Sequence, residues 1–282
     1  MRVLVIGGSG FLGGEIVRQA LASHDQVAAT YLTQPGDLDG PSWFALDVRD
    51  RQQLADLMGV VMPDVVINAA FRQDDWASNA DGAVHVALAA ATLGARLVHV
   101  SSDAVFSGAA IVYQETAIPD PTTPYGAAKA AAETAIKAVD PTAVIARTSL
   151  IIGDGGSTHE RRVHALANGD IAGVLFTDDV RCPVHVTDLA AALLELASFE
   201  HVGIHHIAGA DALSRHELGT LIAQRDGLDP AALPCGRRAD TNLPGPIDIR
   251  LDCTLTQRRI RTKLRGAHQF LKQPAINPIE QR

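Results

Sequence analysis

The sequence RVLVIGGSGFLGGEIV at residues 2–17 decides the fold, because it joins an apolar strand to a helix through a glycine loop. The run RVLVI predicts a strand, and the apolar residues after Gly10 recur at helical spacing. Gly7 permits the tight turn, Gly10 lets the backbone approach a pyrophosphate, and Gly13 lets the helix pack closely on the strand. The helix N-terminus then offers N–H groups and the positive end of its dipole to the anion. The stretch predicts a dinucleotide-binding loop, and it adds two candidate cofactor contacts between the glycines, Phe11 and Leu12.

Outward from this loop, short β-branched runs alternate with longer Ala- and Leu-rich stretches as far as residue 150. Such alternation predicts an α/β fold with a Rossmann-type doubly wound parallel sheet. We assign residues 1–150 to an NAD(P)-binding Rossmann domain and residues 151–282 mainly to a smaller C-terminal substrate-binding lobe. This boundary is approximate, because strands from the second half of the chain can return to the sheet. The Pro-rich stretch at 233–252 is too irregular for any predicted element.

The composition narrows the classes of partner. A formal net charge of -8 argues against the basic surface that nucleic acid requires. The three cysteines lie far apart with no C-x-x-C pair, which argues against a structural metal site and suits a reducing compartment. No apolar run approaches the roughly 20 residues of a membrane span, and a strand begins at once at the N-terminus. We therefore expect a cytoplasmic protein that binds a small molecule, with no nucleic acid, membrane or metal partner, and we leave a homodimer open.

The end of the second predicted strand bears on the choice of cofactor. Proteins that bind NAD place an acidic residue there to hold the ribose hydroxyls, and that charge repels the extra phosphate of NADP. Counted from the glycines, this position is Tyr31, and the first acid after it is Asp37. Thr33 and Gln34 are the nearby side chains that could donate to a phosphate. The sequence therefore favours NADP(H) over NAD(H).

A serine, a tyrosine and a lysine form the candidate catalytic group. Tyr125 and Lys129 are four residues apart in the Ala-rich helix predicted from Pro124 to Val139, so they project from one face. A nearby ammonium favours the phenolate and should lower the pKa of the tyrosine from its ordinary value of about 10. Ser102, at the end of the preceding strand, can hold a substrate carbonyl and share its developing negative charge. The pattern predicts hydride transfer to a ketone, with Tyr125 as the proton donor and Lys129 also holding the cofactor ribose.

These motifs resemble the extended branch of the short-chain dehydrogenase/reductase superfamily, and most closely the dTDP-4-dehydrorhamnose reductases and their sugar-nucleotide-binding relatives. The resemblance covers most of the chain and rests on the segments GGSGFLG, DVVINAA, VHVSSDAVFSG, PYGAAKAAAE, ARTSLIIG, RCPVHVTDLA and IRLD. It implies that Ser102, rather than Ser101, is the catalytic hydroxyl. It also implies contacts to the adenine and ribose of the cofactor from Asp47, Val48, Asn68, Ala69 and Ala70.

The resemblance further implies a substrate that is a keto sugar linked to a nucleotide. Asp103 follows the catalytic serine and is expected to contact that substrate, as is Arg181 at the start of the apolar PVHV run. An ordinary ion pair is an equal alternative for Arg181. Between Asn68 and the helix predicted to begin at Asn79, the chain is shorter than in the rhamnose reductases and carries FRQDDW at 71–76, which leaves the identity of the sugar open. Two other functions also stay open: a nucleotide-sugar epimerase, and a cofactor-binding regulatory subunit like the methionine-adenosyltransferase accessory chain.

Overall fold

A computed structural model describes residues 1–23, 25–198 and 200–272, so the last part of the predicted C-terminal lobe, 273–282, lies outside the described residues. In chain order the strands are β1 (Arg2–Ile6), β2 (Gln26–Tyr31), β3 (Ser42–Ala45), β4 (Val65–Asn68), β5 (Arg96–Ser102), β6 (Val112–Tyr113), β7 (Val144–Thr148), β8 (Ile151–Ile152), β9 (Leu175–Phe176), β10 (Val180–Arg181), β11 (Val184–His185), β12 (Gly203–Ile207), β13 (Leu213–Ser214), β14 (Cys235–Gly236) and β15 (Arg250–Leu251). The α-helices are α1 (Phe11–Ala22), α2 (Arg51–Val61), α3 (Gly82–Leu93), α4 (Pro124–Val139), α5 (Thr158–Ala167), α6 (Val186–Leu196), α7 (Arg215–Arg225), α8 (Thr254–Arg259) and α9 (Ala267–Phe270).

Seven of these strands form one parallel sheet in the order β12-β7-β5-β4-β1-β2-β3. The chain runs from β1 towards β3 on one side and from β4 towards β12 on the other, so the direction of winding changes between β1 and β4. This is the Rossmann-type doubly wound arrangement that the sequence predicts, and ligands bind at such a switch point, outside the carboxyl ends of the strands. The glycine loop and the end of β4 both lie there.

Apolar side chains cover the sheet on both faces. On one face α1 packs against α6, and Ile16 and Leu193 are completely buried in that cluster. On the other face α2, α3 and α4 contribute a second cluster, which includes Leu54, Val86 and Ile136. Both layers are needed because the strands of a parallel sheet are apolar on both sides.

The second half of the chain contributes to this sheet and also builds a smaller cluster of its own. Strand β12 pairs with β7, so Gly203–Ile207 does return to the sheet. A separate apolar cluster joins α5 to α7, with Val163 and Ile222 among its members. The division near residue 150 stays a prediction, and it cuts the main sheet between β7 and β12.

Helix α3 begins later than the sequence predicts. The expected helix from Asn79 opens with a π-helical turn at Ala77–Asp81, and α3 proper starts at Gly82. The side chain of Asn79 is turned back onto the preceding loop, where its Oδ1 accepts a hydrogen bond from the Arg72 N–H at 3.3 Å. The FRQDDW segment, which precedes this turn, lines the rim of the cleft described below.

Candidate active site

A cleft of about 1020 Å³ lies along the carboxyl ends of β1, β2, β4, β5 and β7. Its size is at the upper end of the range for small-molecule sites, so one dinucleotide and one substrate can share it. Most of the predicted site residues line it: Gly7, Gly10, Phe11, Leu12, Gly13, Tyr31, Asp47, Val48, Ala69, Ala70, Ser102, Asp103, Tyr125, Lys129 and Arg181. Thr33 and Asn68 do not, because Thr33 is exposed beyond the end of β2 and Asn68 is buried beneath the lining. The roles of all these residues stay predictions.

The glycine loop is packed so closely that side chains are excluded at Gly7 and Gly13. A Cβ on Gly7 would lie 2.9 Å from the backbone of Ala70, and Gly7 has a φ of +79°, which favours glycine. A Cβ on Gly13 would lie 2.0 Å from the Gly7 carbonyl oxygen. Gly10 caps α1 without offering a side-chain acceptor, so N–H groups of the first turn remain for an anion. The loop is therefore a backbone cradle of the kind a pyrophosphate requires.

The end of the cleft that Tyr31 and Asp47 line carries mixed charge. Asp47 is held by Arg49, whose Nη2 lies 2.6 Å from Oδ2, and this pairing lowers the pKa of Asp47. Arg72 acts in the same direction on Asp47, and it lines the cleft. Tyr31 lines the cleft where an NAD-binding protein has an acid, so the described residues place no carboxylate at the end of β2.

Ser102 and Tyr125 meet at the end of β5. The hydroxyl of Ser102 accepts a hydrogen bond from the Ala104 N–H at 3.1 Å, donates one to Asp103 Oδ1 at 3.3 Å and is hydrogen-bonded to Tyr125. Tyr125 lies in the first turn of α4, which Thr123 caps by accepting from the Gly126 N–H at 3.1 Å. A Cβ on Gly126 would lie 2.0 Å from the Ala104 carbonyl oxygen, so α4 sits directly against this strand end. The neighbouring Ser101 hydroxyl donates instead to Glu133, at 2.6 Å.

The pKa of Tyr125 is raised to about 12, not lowered as the sequence leads us to expect. Burial is the main cause, and the negative charge of Asp103 adds to it, while the hydrogen bond with Ser102 acts in the opposite direction. Burial also lowers the pKa of Lys129, to about 8. Its Nζ donates to the Val100 carbonyl oxygen at 2.6 Å and lies 3.2 Å from His99 Nε2. Tyr125 is therefore a protonated phenol at neutral pH.

Arginines gather at the other end of the cleft. The carboxylate of Asp179 pairs with Arg181 at 2.8 Å, with Arg238 at 3.0 Å and with Arg215 at 3.5 Å. Arg181 also donates to the carbonyl oxygens of Val180 (2.7 Å), Ile247 (3.1 Å) and Pro246 (2.9 Å), and lies 3.7 Å from Asp103. Both alternatives for Arg181 are thus visible, since it lines the cleft and is also ion-paired.

Several residues at the arginine-rich end of the cleft were not predicted from the sequence. Arg161, Arg215, Arg238 and His159 line the cleft, and burial lowers the pKa of His159 to about 4. The Ser-x-x-Glu capping box at Ser214 marks the start of α7 and therefore places Arg215 at a helix N-terminus. That local signal cannot tell which helix ends face the cleft. Phe71, whose ring lies 6.5 Å from that of Tyr125, is a further rim residue; it belongs to the FRQDDW segment, but the sequence gives it no individual role.

Among the described residues, none of the helices has both the length and the apolar character needed to cross a bilayer. The same residues contain no group of three or more His, Cys, Asp or Glu side chains arranged to hold a metal ion. His205 and His206 of β12 are both fully buried and bond to different partners, namely the Thr256 hydroxyl at 3.1 Å and the Arg147 guanidinium at 3.5 Å.

Comparison with known proteins gives consistent matches over nearly the whole chain. Residues 1–275 match the family described as RmlD substrate binding domain. The chain is 32% identical over 244 residues to the spore coat polysaccharide biosynthesis protein SpsK of Bacillus subtilis, covering 82% of each. It is 32% identical over 251 residues to the dTDP-4-dehydrorhamnose reductase of Mycolicibacterium smegmatis, covering 83% of this chain and 72% of that one. The crystal structure of a hypothetical dTDP-4-dehydrorhamnose reductase from Sulfolobus tokodaii superposes with a TM-score of 0.81 at 29% identity, covering 94% of this chain and 97% of that one.

Proposed function

The chain belongs to the RmlD substrate binding domain family, and from this premise we propose that it reduces a keto group on a nucleotide-linked deoxysugar, with NADPH as the preferred reductant. It is a nicotinamide-dependent oxidoreductase of the extended short-chain type. One observation carries the proposal: a single cleft joins the glycine cradle, the Ser102–Tyr125–Lys129 group and a set of arginines.

The residues present fit a dinucleotide. Because side chains are excluded at Gly7 and Gly13, the backbone of the loop can approach a pyrophosphate. Ala69 and Ala70 would lie beside the ribose, Asp47 beside the adenine and Lys129 beside the second ribose. When bound, a reduced nicotinamide supplies the hydride.

The side chains of the chain supply the proton and the electrostatic support. Tyr125 holds a proton at neutral pH, because its pKa is about 12, so it can donate that proton to a carbonyl oxygen that gains negative charge. The hydroxyl of Ser102 donates to Asp103 at 3.3 Å, and it can donate instead to the same carbonyl oxygen when substrate is bound. Both side chains are half-buried in the wall of the cleft, so a substrate and cofactor that fill the cleft would exclude water from the pair and strengthen these hydrogen bonds.

The arginine end suits the diphosphate of a sugar nucleotide. Arg181 has most of its N–H groups committed to Asp179 and to three backbone carbonyls, whereas Arg215 makes only the longer contact with Asp179. Arg161 also lines the cleft, with one N–H donated to the Gly156 carbonyl at 2.5 Å. We therefore assign the diphosphate contact chiefly to Arg215 and Arg161, with Arg181 holding the wall of the cleft.

The test is reduction of a panel of nucleotide-linked keto-deoxysugars, followed by the loss of NADPH absorbance. Arg215→Met should raise KM for the nucleotide sugar at least tenfold, equal to about 1.4 kcal/mol, and change kcat little. The matched control is Arg162→Met, since Arg162 is exposed on α5 and lies outside the cleft lining. No turnover of any keto sugar with either cofactor would overturn the proposal, and an unchanged KM in Arg215→Met would overturn the assignment of the diphosphate.

The two alternatives are less well supported. The relative named as a reductase matches this chain at 32% identity over most of its length, which favours reduction over epimerisation and over a regulatory role. The preference for NADPH rests on Tyr31 in place of an acid and on the positive charge of Arg72 nearby.

A further inference from the structure

Three buried side chains form a chain beneath the floor of the cleft. Lys129 Nζ lies 3.2 Å from His99 Nε2, and His99 Nδ1 lies 3.3 Å from Asn68 Nδ2. All three residues are 97% or more buried, with exposed fractions of 2%, 1% and 3%. Each hydrogen bond in such a place must therefore have one donor and one acceptor, since water does not supply a substitute.

Asn68 is fixed in one orientation. Its Oδ1 accepts a hydrogen bond from the backbone N–H of Ala70 at 3.2 Å. Because a backbone N–H can only donate, the oxygen must face Ala70, and the amide nitrogen must face His99. His99 Nδ1 is then the acceptor of that hydrogen bond and carries no proton.

This arrangement determines where the proton of a neutral His99 lies. A neutral imidazole has one protonated nitrogen, so the proton is on Nε2 and points at Lys129 Nζ. An ammonium has three donors and no lone pair, so it cannot accept this N–H, whereas a neutral amine can. A doubly protonated ring is also disfavoured, because burial lowers the pKa of His99 well below its ordinary value.

We propose that His99, held in one tautomer by Asn68, is a positioning residue that favours the neutral amine of Lys129. The other groups around Lys129 do not supply this effect. Glu133, one turn further along α4, favours the ammonium, although its carboxylate is shared with Arg147 at 2.7 Å and with Ser101 at 2.6 Å. The Val100 carbonyl accepts from either form of the lysine. Tyr125 and Asp103 lie on the cleft side, where Tyr125 is a neutral phenol.

The catalytic consequence rests on the proposed function. In each reduction Tyr125 transfers its O–H proton to the substrate oxygen and becomes a phenolate, which must regain one proton that comes finally from solvent. Only the ammonium form of Lys129 can return a proton to that phenolate, and the amine that remains must then take up a proton from water, so both forms have to be populated near neutral pH. His99 would thus set the pH range in which the acid is restored without touching the substrate.

The test is an NMR titration that does not depend on turnover. The chain has four lysines, and the other three, Lys137, Lys263 and Lys272, are exposed, so [13Cε]lysine labelling gives an isolated Lys129 signal with internal comparisons. His99→Gln should raise the titration midpoint of Lys129 by about one pH unit or more, because a glutamine oxygen can accept from the ammonium. His164→Gln is the matched control, since His164 is partly exposed and pairs with Asp226 at 2.7 Å.

A second measurement uses the unaltered protein. In [15N]histidine spectra, the signal that His99→Gln removes should show a protonated Nε2 and a bare Nδ1. A protonated Nδ1, or a Lys129 midpoint that does not move in the variant, overturns the proposal. If His99→Gln does not fold, the signal is assigned by His99→Asn, and the tautomer alone decides. A chain that shows the expected tautomer but reduces no keto sugar would contradict the proposed function and leave this inference standing.

Discussion

Gly13→Ala tests whether the glycine cradle is the cofactor site. The new methyl group would lie 2.0 Å from the Gly7 carbonyl oxygen and 2.8 Å from Gly8 Cα, whereas Cβ contacts under 3.0 Å essentially do not occur. Helix α1 and the loop must therefore separate by about 1 Å, and overpacking of this kind costs about 1–3 kcal/mol. The same shift misplaces the N–H groups that would meet a pyrophosphate. Loss of one hydrogen bond to a charged group, about 1.5–3 kcal/mol, weakens binding about 10- to 150-fold.

The adjacent residue supplies the control. A Cβ on Gly14 would lie 3.7 Å from the Gly8 carbonyl oxygen, an ordinary contact, and alanine in a helix is about 0.5–1 kcal/mol more favourable than glycine. Gly14→Ala should therefore bind NADPH normally and unfold at the same or a slightly higher temperature. Both variants are assayed by NADPH fluorescence titration and thermal unfolding. If Gly13→Ala binds NADPH within threefold of the unaltered chain, the cradle is not the pyrophosphate site.

Three further outcomes are expected. Tyr125→Phe should lower turnover by about 10²-fold or more and leave cofactor affinity nearly unchanged, because no other donor lies within its helical turn; near-normal turnover would remove Tyr125 from the mechanism. Fluorescence titrations should show NADPH binding at least as tightly as NADH, and a tenfold preference for NADH, about 1.4 kcal/mol, would contradict the argument from Tyr31. Burial lowers the pKa of His206 from 6.5 to about 3, so the unfolded chain takes up a proton that the folded chain resists, and stability should fall as the pH drops from about 6.5 towards 3. The unfolding temperature of His206→Gln should depend less steeply on pH over this range, and equal slopes in the two proteins would exclude His206 as a source of the dependence.

Much of the fold can be predicted from signals between residues that are close together in the sequence. The run RVLVI predicts a strand and the glycines after it predict a turn, and both signals come from residues only a few positions apart. In the structure β1 and α1 lie where this stretch predicts them. Helix α4 is predicted to the residue, from Pro124 to Val139, because proline at its first position and Thr123 before it are both local start signals. The start of α3 was less predictable, since the π-helical turn at Ala77–Asp81 depends on how the loop after β4 folds back onto Asn79.

The candidate catalytic group can be predicted from the sequence, but the protonation states of its side chains cannot. Helical spacing alone brings Tyr125 and Lys129 to one face, so the pair can be found in the sequence. Their pKa values depend on burial and on neighbours from other elements. Lys129 contacts His99, which lies thirty residues earlier in the chain. The negative charge of Asp103, which follows β5, raises the pKa of Tyr125. The expected lowering of the Tyr125 pKa took account of the lysine charge and could not include the loss of hydration that outweighs it.

Arg181 shows why an arginine in a motif does not by itself identify a substrate contact. Its position beside the PVHV run was informative, and it does line the cleft. The question is how many of its five N–H groups remain for a ligand, and that depends on the irregular stretch at 233–252, for which the sequence predicts no element. The carbonyl oxygens of Pro246 and Ile247, 65 and 66 residues further on, accept from Arg181, and Asp179 accepts two residues before it. A guanidinium held in this way fixes the wall of the cleft, and the substrate anion is left to arginines such as Arg215, whose donors are less fully used.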